Sequence, residues 1–372
     1  MDRLTISIDP EQWGNLITKY QPHSPRLKEE DFTAGTINLD TDTNGALSKR
    51  KGSVNYNATL LAAAPKDQYE AIFSDGARHL LVVANGVVKY SSGDTIFNSV
   101  VNGTGFNAGA NFEFATTQDR VYGGNKVNTS QVYDRVTSYG GVPYTAPQMK
   151  AMGVQAPATA PISAAPTAGG SVPAGAHTYK VTFLYYGSEE SNGSAASAPQ
   201  TVTGGSGNYT IPLSSIPVGG YGVTARNIYR DNNDANWVFV HQLSDNTTVS
   251  WNDNLLSSAT PTPIPTNNGT PPLFGLVTNW LDRLWLAQVP GDPNTLFYSE
   301  VSQPDIYGSE NQILCNQEDP ITALIVYFDR LVVLNRRSLG QIIGNTPDTF
   351  RYSAIPSSVG CVDNRTLQIH VL

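Results

Sequence analysis

Cysteine and charge are both scarce in this 372-residue chain, and each shortage excludes a class of function. Two cysteines, Cys315 and Cys361, stand 46 residues apart. That is too few for a disulfide framework or a metal site, so both are expected to be buried free thiols. Charged residues make up 15%, with 23 Lys and Arg against 31 Asp and Glu, a net charge of −8. Basic side chains this sparse argue against gripping nucleic acid through its phosphates, though not against letting it slide past. The five histidines (His23, His79, His177, His241, His370) are dispersed, with no His-Glu-x-x-His pair and no Cys/His ligand spacing. No Gly-x-Ser-x-Gly elbow anchors a hydrolase triad. The Gly-rich spots Gly103–Gly109 and Gly204–Gly207 lack the Lys and helix of a phosphate loop. No run of 18 apolar residues suggests a membrane-spanning helix. Met1-Asp2-Arg3 is followed by no apolar stretch of the kind that opens a secretory signal, so assembly in the cytoplasm is expected. Helical periodicity is missing nearly everywhere; only pieces such as Pro10–Lys19 offer a turn or two of helix. No cofactor is expected.

Glycine (33), proline (24) and tyrosine (18) are abundant instead, the composition of an all-β chain with many turns. The clearest stretch is Trp280–Glu300, which reads as a turn at Asp282-Arg283, an apolar strand Leu284–Ala287, a polar loop, and a second strand Thr295–Tyr298. Its opening recurs 47 residues later as Asp329-Arg330-Leu331-Val332-Val333-Leu334. Upstream it appears as Asp119-Arg120-Val121-Tyr122, and 44 residues before that as the looser Asp75-Gly76-Ala77-Arg78-His79-Leu80. A unit recurring every 40–50 residues marks a β-propeller blade. A small twisted sheet with two apolar faces cannot cover both alone, so copies stack around an axis. Asp75, Asp119, Asp282 and Asp329 share one place in the repeat, where capping the turn, with Arg120, Arg283 or Arg330 beside it, is the expected role.

Along the chain, residues 1–32 read as an irregular arm, and 33–155 as the first part of the propeller. The segment 156–270 reads as an inserted unit, and 271–372 as the second part of the propeller. Thr43-Asn44-Gly45-Ala46 carries a hairpin turn. Lys49-Arg50-Lys51 behind it is a local basic cluster, either a solvated turn or a contact for an acidic partner. Ala156–Ser171 and Thr260–Pro272 read as linkers rich in Pro, Thr and Ala. Between them, strands at Ala176–Tyr186, Gln200–Val202, Asn208–Pro212, Gly222–Arg230, Val238–Leu243 and Thr247–Asn252 fit an immunoglobulin- or fibronectin-like sandwich. Taking that unit out of the 163 residues between Asp119 and Asp282 leaves a gap near one blade period. The expected fold is therefore an all-β propeller, either incomplete in this sequence or completed by the N-terminal segment or another chain, with an inserted immunoglobulin- or fibronectin-like β-sandwich.

Several of these residues resemble a known family. Asn38-Leu39, Asn44-Gly45, Leu47 and Lys49-Arg50-Lys51-Gly52 resemble the N-terminal signature of bacteriophage tail nozzle (tubular tail) and tail hub proteins, with Lys51 where that family usually has Pro. Leu296–Glu300 with Pro304-Asp305 is similar to a segment of the tail propellers. Gly175–Val181, Gly187–Ser191, Ala225–Arg230, Asp245–Thr248 and Trp251–Asp253 look like phage virion insertions. The resemblance implies a structural, non-enzymatic virion protein. It implies a homo-oligomeric ring, a hexamer, at the distal end of a tail, around the channel through which genomic DNA leaves without specific binding. Its neighbours would be adaptor proteins and tail fibres. A net negative chain suits such a conduit, since it would not trap a polyanion in transit.

Two other classes stay open. A propeller-based adhesin would bind host glycans, with Tyr185-Tyr186, Tyr139 and Tyr144 as candidate stacking surfaces, although core packing and interfaces are the default for aromatics at 9% of the chain. A glycosidase would need two carboxylates facing one cleft, and the repeated Asp residues are better explained by turns. Glu189-Glu190, or Asp231 with Asp234, could contribute to a Ca²⁺ site, but no Asp-x-Asp-x-Asp-Gly loop accompanies them.

Overall fold

The computed structural model describes residues 61–93, 95–204, 209–231, 236–256, 262–357 and 359–367, together with the backbone of four short strands closer to the N-terminus. The chain forms two compact units, Met1–Ala58 and Thr59–Leu372. In the first, Leu16–Ile17 pairs in parallel with Phe32–Thr33, and Leu39–Thr41 pairs antiparallel with Leu47–Lys49 across the Asn-Gly stretch. Leu16–Ile17 corrects the helical reading of Pro10–Lys19. Two residues there find an extended partner, which outweighs a weak local preference for helix. Arg50 and Lys51 lie outside the described residues.

The larger unit is almost entirely β; among the described residues the helical structure is one short 3-10 turn at Asn364–Thr366. Four of its sheets share one plan. Each has four antiparallel strands whose order in space is their order in sequence. Sheet I holds Asp67–Ile72, Arg78–Ala84, Val87–Ser91 and Asn98–Ser99. Sheet II holds Glu113–Thr117, Arg120–Gly124, Gln131–Asp134 and Gln148–Ala151. Sheet III holds Leu276–Trp280, Arg283–Ala287, Thr295–Tyr298 and Gln312–Leu314. Sheet IV holds Ile321–Tyr327, Arg330–Asn335, Leu339–Ile343 and Arg351–Ile355. The first strands of consecutive sheets lie side by side.

Strand alternation explains the stacking. Successive side chains point to opposite faces, and in the second strands of sheets II and III every residue is buried. Val121 and Tyr133 of sheet II meet Ala71, Phe73, Leu81 and Val88 of sheet I. Their neighbours Tyr122 and Val132 meet Phe274, Leu284 and Leu286 on the sheet III side. Trp285 and Ala287, alternating with those leucines, join Ile321, Leu324, Leu331 and Val333 of sheet IV. Close approach demands glycine where sheet II nears Phe274: a Cβ on Gly124 would stand 2.5 Å from that ring and 2.7 Å from its carbonyl oxygen. The outward face of sheet IV carries Ile325, Val332, Leu334, Leu339 and Ile343, all only half-buried.

The second and third sheets are separated in sequence by two further sheets. One comprises Ile162–Ser163, Thr167–Val172, Tyr209–Ser214 and Trp251–Asp253; the other comprises Gly175–Tyr185, Glu189–Glu190, Gln200–Val202, Val223–Asp231 and Trp237–Leu243. They share a core of Val172, Tyr179, Val181, Ile211, Leu213 and Ile228. A buried Arg230–Asp253 pair at 2.6 Å, joined by the Tyr179 hydroxyl at 2.8 Å, fastens one sheet to the other. Thr167–Val172 corrects the linker reading of Ala156–Ser171: its small residues lie against Tyr209 and Thr210 despite a composition poor in strand formers.

Trp285 is fully buried between sheets III and IV, its indole N–H donating to the Trp280 carbonyl at 2.9 Å. Trp285→Ala is expected to cost about 3–5 kcal/mol, read by urea denaturation. A loss below about 1 kcal/mol would mean that the III–IV interface does not hold the fold.

Candidate functional site

Three of the repeated turns are two-residue turns with both residues left-handed: Gln118-Asp119 (φ 48° and 58°), Leu281-Asp282 (51° and 53°) and Phe328-Asp329 (45° and 57°). That geometry matches the twist of the flanking strands. Asp is thus the second turn residue, and the Arg after it opens the next strand rather than sitting in the turn. Asp75 departs from the pattern. It lies in a longer loop, takes the Ala77 N–H at 3.0 Å, and pairs with Arg135 at 2.7 Å. That pairing, with Arg135 the chief cause, lowers its carboxyl pKa.

These turns join one sheet to the next. Asp119 of sheet II accepts the Ser74 N–H of sheet I at 2.6 Å and also takes the Ser74 hydroxyl. Those bonds hold its carboxyl below the usual range. The Gln118 side chain donates to the Ser302 carbonyl at 2.6 Å, and the Ser302 N–H donates to the Asp282 carbonyl at 2.7 Å. The Trp280 indole N–H reaches the Asp329 carbonyl at 3.0 Å. The four matching arginines diverge with their surroundings. Arg78 meets Glu70 at 3.2 Å and Arg330 meets Gln341 at 3.0 Å, both exposed. Arg283, buried, donates to the Ser299 carbonyl at 2.6 Å.

Arg120 is the centre of a buried junction between sheets II and III and the inserted pair of sheets. It donates through Nε to the Tyr122 hydroxyl at 2.8 Å and through Nη2 to Glu189 at 2.9 Å, and it lies 3.6 Å above the Tyr186 ring. Glu189 takes the Asp305 backbone N–H on its other oxygen at 2.9 Å. Asp305 in turn accepts the Gly153 N–H at 2.5 Å and the Tyr122 hydroxyl at 3.1 Å. Lys150 donates to the Tyr186 hydroxyl at 3.2 Å and stands 4.4 Å from the Tyr185 ring. Every carboxyl oxygen of Glu189 and Asp305 is thus bonded, the condition under which buried polar and charged groups are tolerated. Burial and the nearby Asp305 push the Glu189 carboxyl up to about 8 against the pull of Arg120. Burial draws Lys150 down.

The opposite end of the sheets opens on a cavity of about 780 Å³, lined by Glu113, Lys126, Gln288, Arg336, Asp363 and Arg365 among others. The segment 359–367 runs across it. Its Cys361 N–H donates to Asn335 at 2.8 Å, and its carbonyl accepts the Thr322 hydroxyl at 2.6 Å. Arg365 then pairs with Asp67 and, at 3.7 Å, with Glu113, the first residues of sheets I and II. Burial raises the Glu113 carboxyl.

Sequence reasoning treated Glu189 and Glu190 as calcium candidates. Glu190 is instead bonded to Thr182, to Asn227 at 2.9 Å and to Tyr229 at 2.8 Å, and no metal-type cluster of acidic, His and Cys residues occurs among the described residues. Asp234 lies outside them. Of the aromatics weighed as stacking surfaces, Tyr185 is buried, in keeping with core packing as the default, and Tyr139 and Tyr144 set their rings against Tyr221 at 5.1 and 4.9 Å. Both cysteines are free and buried; burial lifts the Cys315 thiol to about 12, which keeps it unreactive. Asp67, Glu113 and Asp305 were missed as site residues, because each acquires its role from partners far away in sequence.

No protein-family model matches the chain, and no curated protein does. Among solved structures, one similar chain is the extracellular domain of a protein assigned as a hybrid two component system from B. thetaiotaomicron. It is 8% identical with a TM-score of 0.15, and the match covers 79% of this chain and 52% of that one. The chain thus spans about half the length of that structure, and a likeness at this level carries no functional argument. No helix among the described residues is long and apolar enough to cross a membrane.

The junction predicts an unusual pH response. The Glu189 carboxyl binds its proton more tightly folded (about 8) than unfolded (about 4.3). Its contribution therefore makes stability fall as pH rises between those values. Glu189→Gln should flatten that part of the stability–pH curve, while Arg120→Met, by leaving the ionised Glu189 unpaired, should make the fall steeper near pH 8. Thermal denaturation from about pH 5 to 8 checks both. Identical slopes in wild type and Glu189→Gln would remove Glu189 from the account.

Proposed function

We propose that this chain is a structural component of a bacteriophage tail, a nozzle or hub, and that copies of it form a ring around the path of genome exit. In this reading the four stacked sheets are blades of one propeller, and the inserted pair of sheets is an immunoglobulin- or fibronectin-like guest. The carrying observation is the junction at Arg120, Glu189 and Asp305, which fastens the guest to sheets II and III through buried, fully bonded charges. Such an attachment suits a part that transmits load, since a mobile guest would need only a flexible tether. The half-exposed apolar outer face of sheet IV supports assembly, because a buried neighbour would complete the same pattern that covers sheets I to III. The net charge of −8 suits a conduit for a polyanion.

A second reading, a tail adhesin that binds host glycans, is favoured by the cavity at the opposite end of the sheets. Negative-stain electron microscopy of the purified chain separates the two. Closed rings with an axial hole are expected for the tail component; monomers at micromolar concentration, with saturable glycan binding, would replace it with the adhesin.

A further inference from the structure

The cavity crossed by the segment 359–367 carries cations and carboxylates that are not equally engaged. Its carboxylates have partners. Glu113 lies 3.7 Å from the Arg365 Nε and 3.5 Å from the Asn364 amide, and Asp363 accepts the Arg365 N–H at 3.0 Å. Lys126 and Arg336 differ: among the described residues neither side chain makes a hydrogen bond or ion pair. They reach the cavity from separate sheets, Lys126 just past Arg120–Gly124 of sheet II and Arg336 just past Arg330–Asn335 of sheet IV.

Both are held in place by their backbones. The Lys126 N–H donates to the Phe274 carbonyl at 2.9 Å, and its stem lies so close over Gly275 that a Cβ there would stand 1.9 Å from Lys126 Cε. The Arg336 N–H donates to Asp319 at 3.1 Å. Desolvation draws the Lys126 ammonium down from its usual range, opposed by the nearby Asp363 and Glu113. The volume, about 780 Å³, falls within the usual range for small-molecule sites.

We infer that this cavity binds a small polar ligand carrying an oxyanion, a carboxylate or a phosphate, through Lys126 as a point charge and Arg336 as a planar fork. Guanidinium and ammonium groups suit that division of labour, the first setting geometry and the second adding charge. The site rests on neither reading of the whole chain: a ring former and an adhesin could both possess it.

Isothermal titration of the full chain at low salt tests it with two probes, inorganic phosphate and glucuronic acid. At least one probe should bind saturably, and Lys126→Gln or Arg336→Gln should weaken that binding about tenfold or more, the loss expected for a charge-assisted contact. Lys89→Gln, outside the cavity, should leave it unchanged. Binding of phosphate alone assigns a phosphorylated ligand, and of glucuronic acid alone a carboxylated sugar. Failure of both probes to bind up to about 10 mM, or binding that neither cavity substitution alters, would overturn the site. Both cationic side chains are exposed at the rim, so the variants should fold normally.

Discussion

Val121 and Tyr122 are adjacent in one strand and serve two different interfaces, and most of the larger unit follows from that alternation. A four-stranded sheet that is apolar on both faces leaves one face wet unless a neighbour covers it. At roughly 25 cal/mol per Å² of apolar surface removed from water, the incentive to stack is large for every sheet in the series. The repeat in sequence and the stacking in space are thus one fact. A strand with alternate residues directed to two partners must have both partners present, so sheets II and III are each incomplete without the sheets beside them. The turns reinforce this, since Asp119, Asp282 and Asp329 each take part in a hydrogen bond or relay that reaches the adjoining sheet.

The junction with the guest follows a different rule. Charged residues are few in this chain, and burying four of them together is costly unless each is bonded. Arg120, Lys150, Glu189 and Asp305 meet that condition through one ion pair, tyrosine hydroxyls and backbone N–H groups. An apolar contact of the same size would adhere as well but would tolerate sliding. Directional bonds from Arg120 and from the Asp305 backbone N–H to Glu189 hold the guest in one position.

Much of this was legible from residues alone because it is local. The x-Asp turns, the apolar runs after Arg120, Arg283 and Arg330, and the strand Gln200–Val202 all declare themselves within a few residues. The strand Thr167–Val172 was hidden, since TAGGSV has no β-branched run and owes its conformation to Tyr209. The hydrogen bond of the Tyr185 hydroxyl to the Gln155 carbonyl, 30 residues back in the chain, was hidden for a related reason. The cavity and the junction depend on contacts such as Arg365 with Asp67 and Arg120 with Glu189, which no local pattern encodes.

The stacked sheets and their guest should therefore behave as one cooperative body, with neither able to loosen while the other stays intact. Native-state hydrogen exchange measures this directly. Amides in Arg120–Gly124, Arg283–Ala287 and Gly175–Tyr185 should exchange through one common opening, with a single free energy and a single dependence on denaturant. Exchange of Gly175–Tyr185 through a separate opening of lower energy, while the sheet II and III strands remain protected, would contradict the claim that the junction locks the guest in place.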